Sequence, residues 1–265
     1  MMKLGFIGTG NMASAIMGGV INKGLFKADE IIGADLYAPG RERVKEQFGI
    51  CVTADNREVV KSAEVIILSV KPQFYADVIA GIKDDVTDEK IIITIAPGKT
   101  LSWLSGQFGK AVKLVRTMPN TPAMVGAGMT AACPNEHMTE DGIRRVRDIL
   151  ESFSKVEIVP EKLMDVVTAV SGSSPAYVYM FIEAMADAAV SGGMPRAQAY
   201  QFAAQAVMGS AKMVLDTGKH PGELKDMVCS PAGTTIGAVR TLEEKGFRSA
   251  VFEAVKVCEE ISRNM

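Results

Sequence analysis

Two stretches of this chain carry residue types and spacings that could do chemistry. The first is GFIGTGNMASAI, in which Gly8, Gly10 and Ala13 form a G-x-G-x-x-A pattern directly after an apolar run and at the head of a helical one. In that setting the first glycine permits a tight turn and the second lets the backbone approach a pyrophosphate. The small third residue lets helix and strand pack closely. Amides at the helix start then face the phosphates. The second stretch is KDMVCSPAGTTIGAVRTLEEKG, Lys225 to Gly246, where Ser230, Thr234 and Thr235 surround Gly233 just before a helix. Exposed amides at a helix start, aided by the helix dipole, suit a small carboxylate. Pro231 stiffens the turn and Gly233 allows close backbone approach. Helix capping needs one hydroxyl, whereas this stretch has three.

Further candidates sit where strands end. Asp35 lies about 20 residues past the glycine turn, the spacing of an acid that binds the ribose 2′-hydroxyl in NAD-type sites. APGRERV follows, and Arg41 or Arg43 could instead grip the 2′-phosphate of NADP, or be ordinary solvated helix residues; both nucleotides stay open at this point. In SVKPQ, Ser69 to Gln73, Lys71 could face a cofactor phosphate or ribose while Pro72 fixes the turn. IAPG, Ile95 to Gly98, is small enough for a nicotinamide ring to lie against its backbone. RTMPNTPAMVGAG, with two prolines and Asn120, reads as a third rigid loop.

These loops need a scaffold, and the chain supplies an alternating one. Strand-like runs are Lys3–Gly8, Glu30–Asp35, ICVTA, Glu64–Val70, Lys90–Ala96, Ala111–Thr117, GMTAAC and KVEIVP. Several are nearly continuous Val, Ile and Leu, as in strands buried on both faces of a parallel sheet. Helical segments such as Met12–Lys23 and Glu42–Phe48 lie between the early ones. The expected class is therefore α/β, a doubly wound sheet over residues 1–160. After Pro160 the β-branched runs stop, and residues 161–265 read as successive helices punctuated by Gly and Pro. Pro175–Val190 and Arg196–Leu215 are apolar around much of their circumference, so they are buried either inside a helical domain or in a subunit interface.

Composition narrows the function classes. The 265 residues are 48% hydrophobic and 23% charged with net charge -2, ordinary for a soluble globular protein and without a footprint for nucleic acid or an anionic membrane. No apolar run approaches the roughly 18 residues of a spanning helix, and MMKLGFIG lacks the layout of a signal peptide. The four scattered cysteines read as free thiols in a reducing, cytoplasmic setting. With only His137 and His220, metal chemistry or a histidine dyad is not expected, and a cofactor must carry the reaction.

With those residues in view, the chain resembles the pyrroline-5-carboxylate reductases over essentially its whole length. The resemblance is most specific in SGSSPAYVYMFIEAMADAAVSGGMPRAQAYQFAAQAVMGSAKMV and HPGELKDMVCSPAGTTIGAVRTLEEKGFR, with FIGTGNMA, SVKPQ and MPNTPA on the cofactor side. It implies reduction of 1-pyrroline-5-carboxylate to L-proline, the last step of proline biosynthesis, by NADPH or NADH. NADP(H) is the expected cofactor and NAD(H) the alternative. It also implies a Rossmann domain followed by a helical domain that binds substrate and interlocks with a second copy, giving homodimers and, in many members, decamers. By position, the cofactor would touch Ile7, Gly8, Thr9, Gly10, Asn11, Met12, Asn56, Ser69, Val70, Lys71, Pro72 and Ala96. The substrate would touch Ser230, Thr234 and Thr235. The chain departs from the family in small ways, with Ala13 where glycine is common, Pro97 where alanine is frequent and Ala232 where glycine is usual.

A protonated imine is already an electrophile, so the protein must mainly hold and orient it. The Thr235 hydroxyl is the expected partner of the ring nitrogen, either relaying a proton or only orienting the ring. Blander readings suit other residues: helix breaking for Ser171–Pro175, a cap neighbour for His220, packing for Cys229, and a polar seam or solvated face for Glu183 and Asp187. A β-hydroxyacid dehydrogenase would carry a lysine in its long helix, and none occurs between Leu163 and Pro195. A non-catalytic NAD(P)-binding sensor or a reductase of a related cyclic imine are the remaining alternatives.

Overall fold

The computed structural model describes residues 2–265. Eight strands form one sheet: β1 (Met2–Ile7), β2 (Ile31–Ala34), β3 (Cys51–Thr53), β4 (Ala63–Leu68), β5 (Ile91–Thr94), β6 (Lys113–Met118), β7 (Gly128–Pro134) and β8 (Ser154–Ile158). Their order is β3-β2-β1-β4-β5-β6-β7-β8. Every neighbouring pair is parallel except β6 and β7, which run antiparallel. All eight strand-like runs of the sequence are strands, and the expected doubly wound class holds.

The continuous apolar runs feed two separate cores by the period-two geometry of a strand. Leu4, Phe6, Val65, Ile67, Ile91, Ile93 and Val115 face one cluster, completed by α1 (Asn11–Asn22) and α6 (Glu140–Glu151). Ile7, Ile66, Leu68, Ile92 and Leu114 face the other, with residues of α3 (Asn56–Ser62), α4 (Tyr75–Ile82) and α5 (Leu101–Phe108). In α1 the buried residues are Ala13, Ile16, Met17 and Val20, a helical stripe against the sheet. α2 (Ala38–Phe48) begins four residues earlier than the sequence suggests, because Pro39 sits in its first turn, where a missing N–H costs nothing.

The chain forms two compact units, Met1–Ser173 with Cys258–Met265, and Ser174–Val257. The first thus includes a short 3-10 turn at Glu161–Leu163, α7 (Met164–Val167) and a π-turn at Thr168–Gly172; Met164 packs with Ala131 and Cys133. The second is helical: α8 (Ser174–Ser191), α9 (Arg196–Thr217), α10 (Pro221–Met227), α11 (Thr234–Glu244) and the larger part of α12 (Phe247–Arg263). Its core is thin, with Ala186, Ala199 and Ala203 buried. Met180 is 69% exposed, Phe202 62% and Phe252 62%. The apolar circumference of α8 and α9 is therefore not buried inside the helical unit of one chain. Tyr177, Phe181, Leu242, Phe247 and Val251 line an open apolar groove of about 900 Å3.

Candidate active site

The glycine turn sits at the C-terminal end of β1, at the switch point where strand order reverses from β1-β2 to β1-β4. Gly8 has φ +97, and a Cβ there would lie 2.7 Å from the carbonyl of Ser69, so close approach to the loop after β4 requires glycine. That approach is stapled: the Ser69 hydroxyl donates to the Gly8 carbonyl at 2.6 Å and to the Ile7 carbonyl at 3.1 Å. Gly10 is the N-cap of α1, with no side-chain cap and no acid in the first turn. A Cβ on Gly10 would meet no atom within 4 Å. The helix start therefore keeps uncapped amides beside open space, which fits a phosphate group.

A cleft of about 580 Å3 opens there, lined by Gly10, Asn11, Met12, Ser69, Val70, Lys71, Pro72, Ile95, Ala96, Pro97, Thr121 and Met124. It brings together eight of the expected cofactor residues from the ends of three strands. The others support or flank it. Ile7 is fully buried, its side chain in the core, so only its backbone serves the turn. Gly8 and Thr9 form the buried base of the turn. Asn56 opens α3 behind the Asp55 cap and does not line the cleft.

Asp35 is engaged inside the protein. One carboxylate oxygen accepts the Thr9 amide at 2.8 Å and the Thr9 hydroxyl at 3.1 Å, and the other accepts the Tyr37 amide at 3.0 Å. Arg41 donates to the Asp35 carbonyl at 2.5 Å and Arg43 to the Thr9 carbonyl at 2.6 Å. Arg41 is thus held at the end of β2, and Arg43, though exposed, at the turn that follows β1.

Sequence reasoning missed Tyr75. It is fully buried; its hydroxyl donates to the Leu68 carbonyl at 2.5 Å and accepts the Ile95 amide at 3.3 Å. Burial pushes the phenol above its ordinary range, so it stays protonated. It ties the ends of β4 and β5, the strands whose loops wall the cleft; only strand adjacency reveals this. Asn120 is likewise structural, donating to the Ser171 carbonyl at 3.0 Å and accepting the Met129 amide at 2.9 Å.

In the helical unit, Ser230–Gly233 is a turn closed by the Gly233 amide on the Ser230 carbonyl at 3.0 Å. Pro231 takes the second position and Ala232 the third, with φ +55, the pattern of a type II turn. Ala232 is the non-glycine residue with positive φ among the described residues. A Cβ on Gly233 would crowd the Ser230 hydroxyl, which would have to turn away from its present position. Gly233 is the N-cap of α11, with no side-chain cap and no acid in the first turn. The hydroxyls of Ser230, Thr234 and Thr235 are thus not spent on capping, and the helix start remains open to an anion. His220 is itself a cap: its Nδ1 accepts the Gly222 amide at 3.0 Å at the start of α10. Asp187 pairs with Arg196 at the surface. Among the described residues no group of three or more His, Cys, Asp or Glu could hold a metal.

The chain is similar to known proteins along nearly its full length. Residues 161–265 match the family described as pyrroline-5-carboxylate reductase dimerisation, and residues 3–98 match NADP oxidoreductase, coenzyme F420-dependent. The pyrroline-5-carboxylate reductase of Escherichia coli is 52% identical over 99% of this chain and 98% of its own length. That of Methanosarcina acetivorans is 43% identical over 99% and 97%. A solved structure of Plasmodium falciparum pyrroline carboxylate reductase with NADP bound is 32% identical, covers 99% of this chain and 97% of its own, and superposes with a TM-score of 0.91. Aquifex aeolicus prephenate dehydrogenase, at 15% identity and a TM-score of 0.55, shares the fold alone. With curated relatives at this identity along nearly the full length, the chain belongs to the pyrroline-5-carboxylate reductase family.

Proposed function

We propose that this protein reduces 1-pyrroline-5-carboxylate to L-proline with NAD(P)H. The observation that carries the reading in this chain is the start of α11, where a rigid turn leaves an uncapped helix N-terminus and three hydroxyls for a small carboxylate. When bound, the nucleotide supplies the hydride. Gly10, Asn11 and Met12 would hold its pyrophosphate, Lys71 a phosphate or ribose oxygen, and Ile95–Pro97 its nicotinamide end. Ser230, Gly233 and Thr234 bind the substrate carboxylate, and the Thr235 hydroxyl hydrogen-bonds the ring nitrogen and orients the imine.

NADPH is the proposed nucleotide. Asp35 spends its carboxylate on Thr9 and Tyr37 rather than on a ribose, while Arg41 and Arg43 offer positive charge at the same strand end. Residues 161–265 are the proposed substrate-binding and dimerisation half. The exposed apolar side chains of α8, α9 and α12 support a homodimer, since patches of this kind mark protein interfaces. Pairing of five such dimers is the larger assembly to look for. Free cysteines support a cytoplasmic setting, and no helix among the described residues is long and apolar enough to cross a membrane. The reading is tested by incubating the protein with NADPH and racemic pyrroline-5-carboxylate and resolving the product by chiral chromatography. L-proline formed in step with NADPH loss is expected, and nucleotide binding without product would overturn it.

A further inference from the structure

Behind the loop that follows β5 lies a charge network, built on one buried guanidinium and two half-exposed carboxylates, that neither the glycine turn nor the α11 start uses. Arg116 on β6 is 3% exposed. Its Nη1 donates to Glu161 Oε1 at 3.0 Å, and its Nη2 lies 3.9 Å from Asp165 Oδ1. The same Glu161 oxygen accepts the Leu101 amide at 2.6 Å. Asp165 Oδ1 accepts the hydroxyl of Ser262, a buried residue at the end of α12, at 2.9 Å. Met265 lies close over Gly98, where a Cβ would come 2.6 Å from the Met265 Cβ. All of these residues belong to the first compact unit.

A buried guanidinium persists only where it is paired, so Arg116 fixes the position of Glu161 as firmly as Glu161 neutralises Arg116. A carboxylate oxygen held in that way makes a strong, oriented acceptor for the Leu101 amide. Leu101 is the first residue of α5, and its N–H has no partner within the helix. The segment from Ile95 to Leu101 is thus held at its start by Tyr75 and at its end by Glu161. Ile95, Ala96 and Pro97 of this segment wall the nucleotide cleft.

We propose that Glu161, locked by Arg116, is a positioning residue for the cleft wall Ile95–Pro97, acting through the Leu101 amide without touching the nucleotide. Ser262 completes the clasp through Asp165. The proposal rests on the nucleotide-dependent reductase reading above, because it names what that wall must hold still. A wall free to move by about 1 Å would let the reacting groups drift, a displacement that costs up to ~100-fold in rate.

The test compares wild type, Glu161→Ala, Glu161→Gln and Ser262→Ala as full-length protein. Hydrogen exchange of segment 95–104 is measured without nucleotide, NADPH affinity by fluorescence titration, and hydride transfer by single turnover with 4-deuterated NADPH. Glu161→Ala is expected to speed exchange of the segment and to slow hydride transfer, each about tenfold, while NADPH affinity changes by less than about threefold. Glu161→Gln, which still offers an oxygen to the Leu101 amide, should recover most of both. A folded Glu161→Ala protein with unchanged exchange, or an affinity loss as large as the rate loss, would overturn the proposal. So would a glutamine variant no better than alanine. If Glu161→Ala does not fold, Ser262→Ala decides: faster exchange in segment 95–104 supports the clasp, and no change overturns it. Absence of wild-type turnover would count against the reductase reading instead, and the exchange comparison would still decide the positioning role.

Discussion

A single carboxylate oxygen of Asp35 accepts both the amide and the hydroxyl of Thr9, at 2.8 and 3.1 Å. The acid at the end of β2 therefore holds the glycine turn together. Arg41 and Arg43 lean on the carbonyls of the same two residues. Replacing both arginines by alanine should raise the KM for NADPH by about tenfold or more, the worth of one lost charge-assisted contact. The KM for NADH should hardly move. Equal losses with both nucleotides in steady-state kinetics would show that the arginines serve the turn and not the 2′-phosphate.

Tyr75 carries a second expectation. Phenylalanine keeps its ring in the core but leaves the Leu68 carbonyl and the Ile95 amide without their shared partner. Tyr75→Phe should destabilise the protein by about 1–2 kcal/mol in urea unfolding and weaken nucleotide binding. An unchanged midpoint would mean that the two strand ends do not depend on the bridge.

At Ala232 the expected sign is opposite. A Cβ at φ +55 is strained, and glycine relieves it. Ala232→Gly should stabilise the protein by up to about 1 kcal/mol, partly offset by the greater freedom of glycine in the unfolded chain. Chemical denaturation measures this directly, and a destabilised variant would contradict the turn geometry.

Stability in acid should report the Arg57–Asp85 pair, joined at 2.6 Å. The hydrogen bond from Arg57 holds the Asp85 carboxyl below its ordinary value. A group with a depressed folded-state pKa contributes stability above its unfolded value, and the contribution is lost as pH falls through the folded value. The thermal midpoints of wild type and Asp85→Asn should differ by a constant small amount near neutrality and converge below about pH 4, where carboxylates protonate. A difference that persists unchanged into that range would argue against the pair as its source.

Much of this architecture is legible in the residues themselves. Each strand announces itself as a short apolar run, and the switch to Ala- and Met-rich helices after Pro160 marks the change of structure. The antiparallel direction of β7 has no local signature, because strand direction depends on connection path rather than on side-chain pattern. The C-terminal helix α12 begins directly after Gly246 without a proline to mark its first turn. The start of α11 is legible as a turn running into a helix, because Pro231 and Gly233 stand directly before it. The engagement of Asp35 with Thr9, and the roles of Tyr75 and Glu161, are not. Each depends on which distant strand end lies alongside, a relation between residues 26, 20 and 60 positions apart.

The most direct test of the central claim is turnover of pyrroline-5-carboxylate with NADPH by wild type, Thr235→Ser and Thr235→Ala, followed by loss of NADPH absorbance at neutral pH. Wild type should turn over readily, the serine variant should stay near wild type, and alanine should lose about a hundredfold in kcat with folding intact. Alanine turnover equal to wild type would contradict the assignment of the ring-nitrogen partner, and a folded, nucleotide-binding wild type with no turnover would contradict the assignment of the reaction.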